Sequence, residues 1–538
     1  MYLQRNFYLA TAAALAISTA AGAQTTVTED QAMAAMASIS MDRSRADVLT
    51  FDSAIFQDGS VVLSNVVIHA PDEPVESIDL VKGKPVEADP FTGADSLITE
   101  MRFEAPRLDA EGNFLFDSLT MSGLNQTSPD GEASFDLRTL SIDAPSADLA
   151  YLISHGFREP DTDIDPEWLE NSELMLGGFG MYGMRVTGDD EAVSDIDFAI
   201  ESIVFSYDEA NAMGHFRLED LVLSGVDSES GPIAMSMREI RIEGVGGEVV
   251  GEWADAMTRE DVQGFMQSYM ETVTLRPADL FRELSISDIQ LASSGVEMGL
   301  GELAVINEPV GQLIRSTGGI DALRIAPDMS APDGAVMAAS LGQMGYEELS
   351  LSARFNTVYD VESGRVYTEG ENYYRLEDGF RIDFSSDISG YDRFAETMAR
   401  SAVVDENDAA ATEALGRDIL SALTIHEIAF TLTDESFLDR IVSNMSAQQG
   451  MPAEQVRAQL SGMAGIMTMG LSQSLGPDLA MDANRSLMNF IQQGGSLTLR
   501  VAPEQAASIG ELLLSDTGSG APDFQALGLS FSHAAEQE

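Results

Sequence analysis

The sequence predicts an α+β fold dominated by β-structure: a repetitive antiparallel β-meander, curved or creased, with helical insertions and a C-terminal, mostly helical module. Three observations support this prediction. An eight-residue figure, in which alternating apolar residues flank a polar pair, recurs along the chain. Linkers rich in Gly, Ser, Asp and Pro join successive copies, as expected between antiparallel neighbours. The last part of the chain changes to apolar spacings that are typical of helices.

The segment Phe216–Ile242 contains the figure twice, once around Glu219-Asp220 and once around Arg238-Glu239. The apolar members of these two copies are Phe216, Leu218, Leu221, Leu223, Met235, Met237, Ile240 and Ile242. Other full copies begin at Val61, Phe114, Phe135, Phe198, Leu284, Met298 and Leu423. Such regular recurrence indicates many similar strands in one sheet.

Each half of the figure alternates with period two, so each half buries one face of a strand. In a flat strand, the polar pair would move the second apolar pair to the opposite face. Either a bulge at the pair returns all four apolar side chains to one face, or the strand crosses between two buried environments. We therefore predict bends at Glu219-Asp220 and Arg238-Glu239, and aligned bends would crease the sheet into an apolar trough.

The apolar figure residues are the candidate site of this protein. They line either an open groove or a closed core, and the sequence alone leaves both readings open. The residues placed there are Phe114, Phe116, Phe198, Phe205, Phe216, Leu218, Leu221, Leu223, Met235, Met237, Ile240, Ile242, Leu284 and Ile286.

Residues 1–23 are predicted to form a cleaved signal peptide. Arg5 is followed by an apolar run from about Phe7 to Ile17, and small residues lead to Ala21-Gly22-Ala23. Neither this run nor any later segment is long and apolar enough to suggest a transmembrane helix. The expected location is the periplasm.

The rest of the chain divides into four predicted regions. Residues 24–310 form a repetitive β-rich region with helical insertions, and 311–345, rich in glycine and aspartate, form a linker-like segment. Residues 346–418 form a β-meander followed by a helix. Residues 419–538 form an α+β module of strand, three helices and strand, in which Gly450 ends one helix and Pro452 opens the next.

Composition excludes several classes of function. The chain has 89 acidic and 29 basic residues and a formal net charge of -60, so it repels nucleic acid and anionic membranes. It has no cysteine, which excludes disulfides, cysteine zinc sites, thiol catalysis and a lipidated N-terminus.

A search for catalytic and metal-binding patterns predicts a non-enzymatic protein without a cofactor. His426-Glu427 begins a zincin dipeptide, but Phe430 stands where the second histidine belongs. A run of acids resembles the start of a calcium loop, yet it lacks the glycine and the final glutamate of that motif and is better explained as a solvated loop. Its residues are Asp161, Asp163, Asp165 and Glu167. Met463, Met467 and Met469 are predicted to pack in a core rather than to handle copper.

Segments such as ELSISDIQLASSGVEMGLGELAV and LTIHEIAFTLTDES resemble the repetitive strands of AsmA-like and other bridge-like lipid-transfer proteins. That resemblance implies a long sheet curled into an apolar groove that holds acyl chains. This chain departs from the AsmA-like pattern because it lacks the N-terminal membrane anchor. The C-terminal helical module resembles the end of uncharacterised exported bacterial envelope proteins.

Two hypotheses follow. In the first, the protein is periplasmic and non-enzymatic and binds lipid or another apolar ligand in a β-sheet groove. In the second, it is a structural or protein-interaction component of the cell envelope, with a closed core and no ligand.

Overall fold

The chain contains two compact units, Met1–Phe265 and Met266–Glu538. The computed structural model describes residues 26–69, 78–79, 84–85, 91, 93–158, 168, 172, 175–189, 193–208, 211–227, 231–247, 249, 269–270, 272–329, 331–401, 409–508, 510, 524 and 527–535. The predicted signal peptide and the acidic run 161–167 lie outside these residues.

The first unit is a long antiparallel meander with two helices among its described residues. The helices are α1 (Glu29–Ser38) and α2 (Ala147–Arg158). The strands are β1 (Leu49–Thr50), β2 (Ser53–Gln57), β3 (Ser60–Ile68), β4 (Ile78–Asp79), β5 (Lys84–Pro85), β6 (Ser96–Glu104), β7 (Arg107–Leu108), β8 (Phe114–Leu115), β9 (Ser118–Thr127), β10 (Ser134–Asp143), β11 (Gly178–Gly188), β12 (Val193–Asp208), β13 (Met213–Asp227) and β14 (Gly231–Gly246). Strands β3, β6 and β9 to β14 pair in that order. Thr28 caps α1 in a capping box with Gln31.

A line of interruptions crosses this sheet. In each consecutive pair of strands, the ladder skips one residue on both sides, so that for example Leu221 pairs with Met237 and Glu219 with Glu239, while Asp220 and Arg238 are left out. The skipped residues, called the break row below, are Asn65, Thr99, Gly123, Arg138, Gly183, Glu201, Asp220 and Arg238. The predicted irregularity at the two polar pairs is therefore present and aligned across the sheet.

Every second member of the break row has left-handed backbone geometry. The φ angles are 50° at Asn65, 65° at Gly123, 63° at Gly183 and 49° at Asp220. Gly, Asn and Asp are the residues that tolerate this region most readily. On these alternate strands the polar or glycine centre of the figure thus has a conformational cause, because one residue there adopts positive φ.

The interruption returns both halves of the figure to one side of the sheet. Leu63 and Val66, three residues apart on β3, are both 0% exposed and belong to the same buried cluster. Met101 and Ile98 on β6 behave in the same way. Of the two arrangements that the sequence allows, the bulge-like one is therefore present, and the strand does not cross between two cores.

The second unit is also an antiparallel meander, with more helices. Its described helices are α3 (Pro277–Leu280), α4 (Pro332–Met344), α5 (Tyr391–Ser401), α6 (Ala409–Ala422), α7 (Phe437–Gln449), α8 (Ala453–Leu475) and α9 (Pro477–Gln493). Its strands are β15 (Glu283–Ser293), β16 (Val296–Val310), β17 (Leu313–Pro327), β18 (Leu349–Asp360), β19 (Arg365–Thr368), β20 (Tyr373–Leu376), β21 (Phe380–Ser389), β22 (Thr424–Asp434), β23 (Ser496–Val501), β24 (Ala507–Ser508) and β25 (Leu529–Ala534).

The strands of this unit pair in chain order, with two places where short strands share an edge. Strand β18 pairs with both β19 and β20, and each of these pairs with β21. Strand β22 pairs with β23 and β24, and β23 pairs with β25. The break recurs here at Asp288, Gly301 and Ala322, where Asp288 and Ala322 have φ of 51° and 55°.

The β-dominated α+β fold is as predicted, but several predicted segments differ. The linker-like segment 311–345 instead contains strand β17 and helix α4, since glycines at 318 and 319 lie in the ladder rather than in a loop. In the predicted meander, the segment GRVYTEGENYYRL forms two strands, β19 and β20. The C-terminal order of strand, three helices and strand is present as β22, α7, α8, α9 and β23.

Candidate functional site

Four apolar rows cross the sheet of the first unit at right angles to its strands. The first row is Val61, Phe103, Leu119, Ile142, Phe179, Phe205, Phe216 and Ile242, and the second is Leu63, Met101, Met121, Leu140, Met181, Ile203, Leu218 and Ile240. On the other side of the break row, the third is Val66, Ile98, Leu124, Leu137, Met184, Ile200, Leu221 and Met237. The fourth is Ile68, Ser96, Gln126, Phe135, Val186, Phe198, Leu223 and Met235.

At the β3 end, the side chains of the first three rows are buried in a packed core. The first two rows are 0% exposed on β3 and β6, and Met36 of α1 and Leu152 of α2 belong to the same buried cluster. Phe103 makes edge-to-face contacts with Phe114 and Phe116 at centroid distances of 5.7 and 5.5 Å. This part of the apolar face is an ordinary packed core.

Phe114 and Phe116 lie in this core, but not on the strand that the sequence assigns them. Phe114 belongs to β8, which pairs with β7 in a separate two-stranded sheet, and Phe116 precedes β9. The copy of the figure on β9 begins instead at Leu119, Met121 and Leu124, around Ser122-Gly123. The prediction placed the figure out of phase because glycine, rather than a polar pair, occupies the break on this strand.

The rows are less covered on β12 to β14. Of the candidate residues there, Phe205 and Met237 are buried, at 6% and 5% exposure. The others are half-buried: Phe198, Phe216, Leu218, Leu221, Leu223, Met235, Ile240 and Ile242. The four rows bring all of these residues onto one continuous face.

The second unit carries a comparable apolar face, which contains Leu284 and Ile286. Its members on β15 are Leu284, Ile286, Ile289 and Leu291, and the ladder places Val305, Leu303, Leu300 and Met298 of β16 beside them. On β17 and β18 the corresponding residues are Gly318, Ile320, Leu323, Ile325, Phe355, Ala353, Leu351 and Leu349. No charged residue stands at any of these positions.

In the first half of β15, the apolar side is more accessible than the opposite side. Leu284 and Ile286 are half-buried, whereas Ser285 and Ser287 are only 9% and 8% exposed. A closed core would show the reverse order, since apolar side chains are the ones that folding removes from water.

The same face is open to solvent farther along the sheet. Tyr374 of β20 pairs with Ala353 on one side and Ile382 on the other, and it stacks on Phe384 at 5.5 Å. Phe384 pairs with Phe430 of β22. Tyr374 is 59% exposed and Phe430 is 47% exposed. Large aromatic side chains on the apolar side therefore remain in contact with water.

Two small buried apolar clusters pack against the described part of this unit's sheet. One lies around Leu341, Tyr346 and Leu376, with Phe437 of α7 packed against it. The other lies around Ala278, Ile314 and Tyr359, where the hydroxyl of Tyr391 is desolvated and its pKa is raised by burial. Between these clusters the apolar face is only partly covered.

A polar boundary separates the open apolar face from the cluster beneath α3. Asn307, 3% exposed, donates from Nδ2 to the carbonyl oxygens of Pro277 and Phe281, both at 3.1 Å. Its Oδ1 accepts from the hydroxyl of Ser316 at 2.7 Å. These bonds attach α3 to the sheet next to Arg282, which directly precedes β15.

The opposite face of the sheet is polar and carries ion pairs between strands and turns. Arg324 contacts Glu348 at 2.6 Å and Arg500 contacts Glu427 at 2.9 Å. Hydrogen bonds from Arg365 to Asp387 lower the pKa of that carboxyl. The two faces of the sheet thus differ sharply in chemistry.

The other patterns noted in the sequence form no catalytic or metal centre among the described residues, where no group of three or more metal-ligating side chains is present. The ring of His426 is half-buried and contacts the hydroxyl of Ser389 at 2.9 Å, and Glu427 is the partner of Arg500. A shallow depression of about 380 Å³ in the first unit has a mixed wall, in which the charged Arg185, Glu201 and Asp220 stand beside Met184 and Ile200.

The predicted core packing is wrong for Met463 and Met467, and the side chain of Met469 lies outside the described part of the chain. Met463 and Met467 of α8 are 54% and 71% exposed, and Ile466 between them is 74% exposed. The buried stripe of this helix consists of Val456, Ser461, Ala464 and Thr468 instead. Spacing alone cannot tell which of two adjacent stripes faces the neighbouring helix, and here the small residues do.

Two strands of the apolar faces were missed by the sequence reading. Strand β11 contributes Phe179, Met181, Met184 and Val186 around Tyr182-Gly183, and strand β17 contributes Ile320, Leu323 and Ile325 around Asp321-Ala322. A template that accepts glycine in the centre or at an apolar position would have found both.

Comparisons with known proteins add one partial match. A family model described as "Uncharacterized protein" matches residues 373–534, from the first residue of β20 to the last residue of β25. Searches of curated proteins and of solved structures found no match. Within the described residues, no helix combines the length and the hydropathy that crossing a bilayer requires.

Proposed function

We propose that this is an exported, non-enzymatic periplasmic protein that binds a lipid or another apolar ligand on the apolar face of its sheet. The observation that carries the proposal is the solvent exposure of that face in the second unit, where Tyr374 and Phe430 are 59% and 47% exposed. A contiguous exposed apolar surface of this kind is uncommon on soluble proteins, and where it occurs it often marks a binding site.

The chemistry of the face favours a chain-like hydrocarbon ligand. Its positions on β15 to β18 carry no charge, and its polar groups are collected at one end. Binding would remove apolar surface of both partners from water, at roughly 25 cal/mol per Å². Direct polar recognition along the hydrocarbon is not needed.

The experiment is lipid analysis of the protein purified from the periplasm, combined with displacement of a fluorescent naphthylamine probe by dodecanoate. We expect co-purified lipid, and we expect Phe430→Asn to weaken probe binding severalfold because the polar amide interrupts the apolar face.

The matched control is Ile306→Asn. Ile306 and Phe430 are both 47% exposed, but Ile306 lies on the opposite face of β16. This variant should bind the probe as the wild type does. Absence of lipid together with absence of probe binding would contradict the proposal, and equal losses in the two variants would show that the apolar face is not the site.

A structural or interaction role in the envelope is the second candidate. The observation that favours it is the fully packed core of the first unit from β3 to β10, which leaves no room for a ligand at that end. Purification without lipid, together with capture of a defined envelope partner, would favour this role.

A further inference from the structure

Arg282 stands at the end of the apolar face of the second unit. Its carbonyl oxygen accepts a hydrogen bond from the backbone amide of Asn307 at 2.8 Å, so the ladder of β15 and β16 extends to it. Side chains two residues apart on a strand share a face. Arg282 therefore lies on the same side as Leu284 and Ile286, next to the polar boundary.

The Nε of the Arg282 guanidinium lacks a hydrogen-bond partner within the described part of the chain. This nitrogen is buried and no described residue accepts a hydrogen bond from it. Other arginines of this unit are paired, for example Arg315 with Glu369 at 2.5 Å and Arg324 with Glu348 at 2.6 Å. In a chain with 89 acidic and 29 basic residues, carboxylate partners are abundant.

Burying part of a guanidinium without an acceptor costs free energy. An anion at this position would remove that cost, and the planar fork of arginine suits a carboxylate or a phosphate. The neighbouring polar side chain of Asn307 is also fixed in place, by hydrogen bonds to Ser316 and to the carbonyl oxygens of Pro277 and Phe281.

We propose that Arg282 binds the anionic headgroup of an amphipathic lipid, a carboxylate or a phosphate, while the acyl chain lies on the adjacent apolar face. This inference rests on the proposed function and adds the class of ligand and its orientation. The headgroup would lie at the boundary marked by Asn307, and the chain would extend from Leu284 over the uncharged rows.

The test compares dodecanoate with dodecanol, which have the same chain but differ in charge, by displacement of the naphthylamine probe from delipidated full-length protein. We expect the wild type to prefer dodecanoate. Arg282→Met should weaken dodecanoate binding by roughly 10- to 100-fold and leave dodecanol binding unchanged, since only the charge-assisted bonds are lost.

Arg324→Met is the matched control. It removes the same charge from the same unit, but from the opposite face, and should keep the preference for dodecanoate. Thermal unfolding provides an independent readout, because a purely structural arginine would lower the melting temperature when removed, whereas Arg282→Met should not lower it.

The outcomes separate this inference from the proposed function. If the wild type binds dodecanoate and dodecanol equally, or if Arg282→Met keeps the preference for dodecanoate, the headgroup site is wrong and the apolar site stands. If neither dodecanoate nor dodecanol binds, both the headgroup site and the proposed function are wrong. Inorganic phosphate alone should not displace dodecanoate at millimolar concentration; displacement that depends on Arg282 would indicate a free-anion site and overturn the headgroup assignment.

Discussion

Single residues in the break row determine how this sheet is built. Asn65, Gly123, Gly183 and Asp220 adopt positive φ, and each leaves the ladder for one position. A left-handed residue reverses the alternation of side chains, so that apolar residues three apart share a face. Each such residue thereby keeps the two halves of its strand in one core.

Gly183 has a second role that only the packing reveals. The side chain of Arg138 crosses strand β11 at this glycine and forms an ion pair with Glu201 of β12 at 2.6 Å. A Cβ atom at position 183 would lie 2.9 Å from Cβ of Arg138. The glycine therefore provides both the backbone geometry and the space for a contact across an intervening strand.

We predict that Gly183→Ala destabilises the first unit by more than the conformational penalty alone. The left-handed conformation costs an alanine about 1–2 kcal/mol, and the clash with Arg138 adds to it. The control is Gly131→Ala, where φ is 79° but no atom lies within 4 Å of the new Cβ. Urea unfolding measures both. Equal losses would show that Arg138 moves aside without cost.

At the scale of elements, helices α8 and α9 show how a helix can pack with its small residues. Ala464 and Thr468 of α8 and Ala480 and Ala483 of α9 are buried. No charged residue occurs from Ala458 to Pro477. The outward stripe of Met463, Ile466 and Met467 is thus apolar, uncharged and exposed.

This arrangement predicts the order in which methionines oxidise. Under mild hydrogen peroxide, Met463 and Met467 should become sulfoxides well before Met36 and Met101, which are 1% and 0% exposed. Peptide mass spectrometry of the time course measures the order. Met329, 67% exposed, is the internal reference for free access. Protection of Met463 and Met467 relative to Met329 would show that another surface covers α8 in solution.

At the scale of the whole molecule, the net charge of -60 makes repulsion between carboxylates larger than the attraction between carboxylates and arginines. Neighbouring carboxylates are paired with arginine across strands, as in the Arg185–Asp197 pair at 2.7 Å, but most acids have no basic partner to match them. Long-range self-repulsion should therefore oppose folding at low ionic strength.

We predict that the melting temperature rises when sodium chloride is increased from 10 to 500 mM. The Debye length falls from about 30 Å at 0.01 M to about 10 Å at 0.1 M, and this screens repulsion over distances longer than an ion pair. Differential scanning calorimetry measures the shift. Choline chloride at the same ionic strength should give the same increase if screening is the cause. A lower melting temperature in salt would mean that the surface ion pairs outweigh the repulsion.

The sequence by itself determined the meander, the figure and its breaks at Glu219-Asp220 and Arg238-Glu239. Period-two apolar spacing and turn residues depend only on the local sequence. They can therefore be recognised without knowing which segments are neighbours in the fold. The end of α7 at Gly450 and the start of α8 after Pro452 were predicted closely for the same reason. The site was predicted only as a set of apolar side chains on strands.

Only the tertiary structure decided which of those side chains are covered. Leu63 and Leu300 occupy equivalent places in the figure, yet Leu63 is 0% exposed in the packed core of the first unit and Leu300 is half-buried on the second. Burial depends on what lies above a strand, and that is set by residues distant in the chain. Arg282 gave no signal in the sequence, because the lack of a partner at its Nε is a property of the fold and not of the residue.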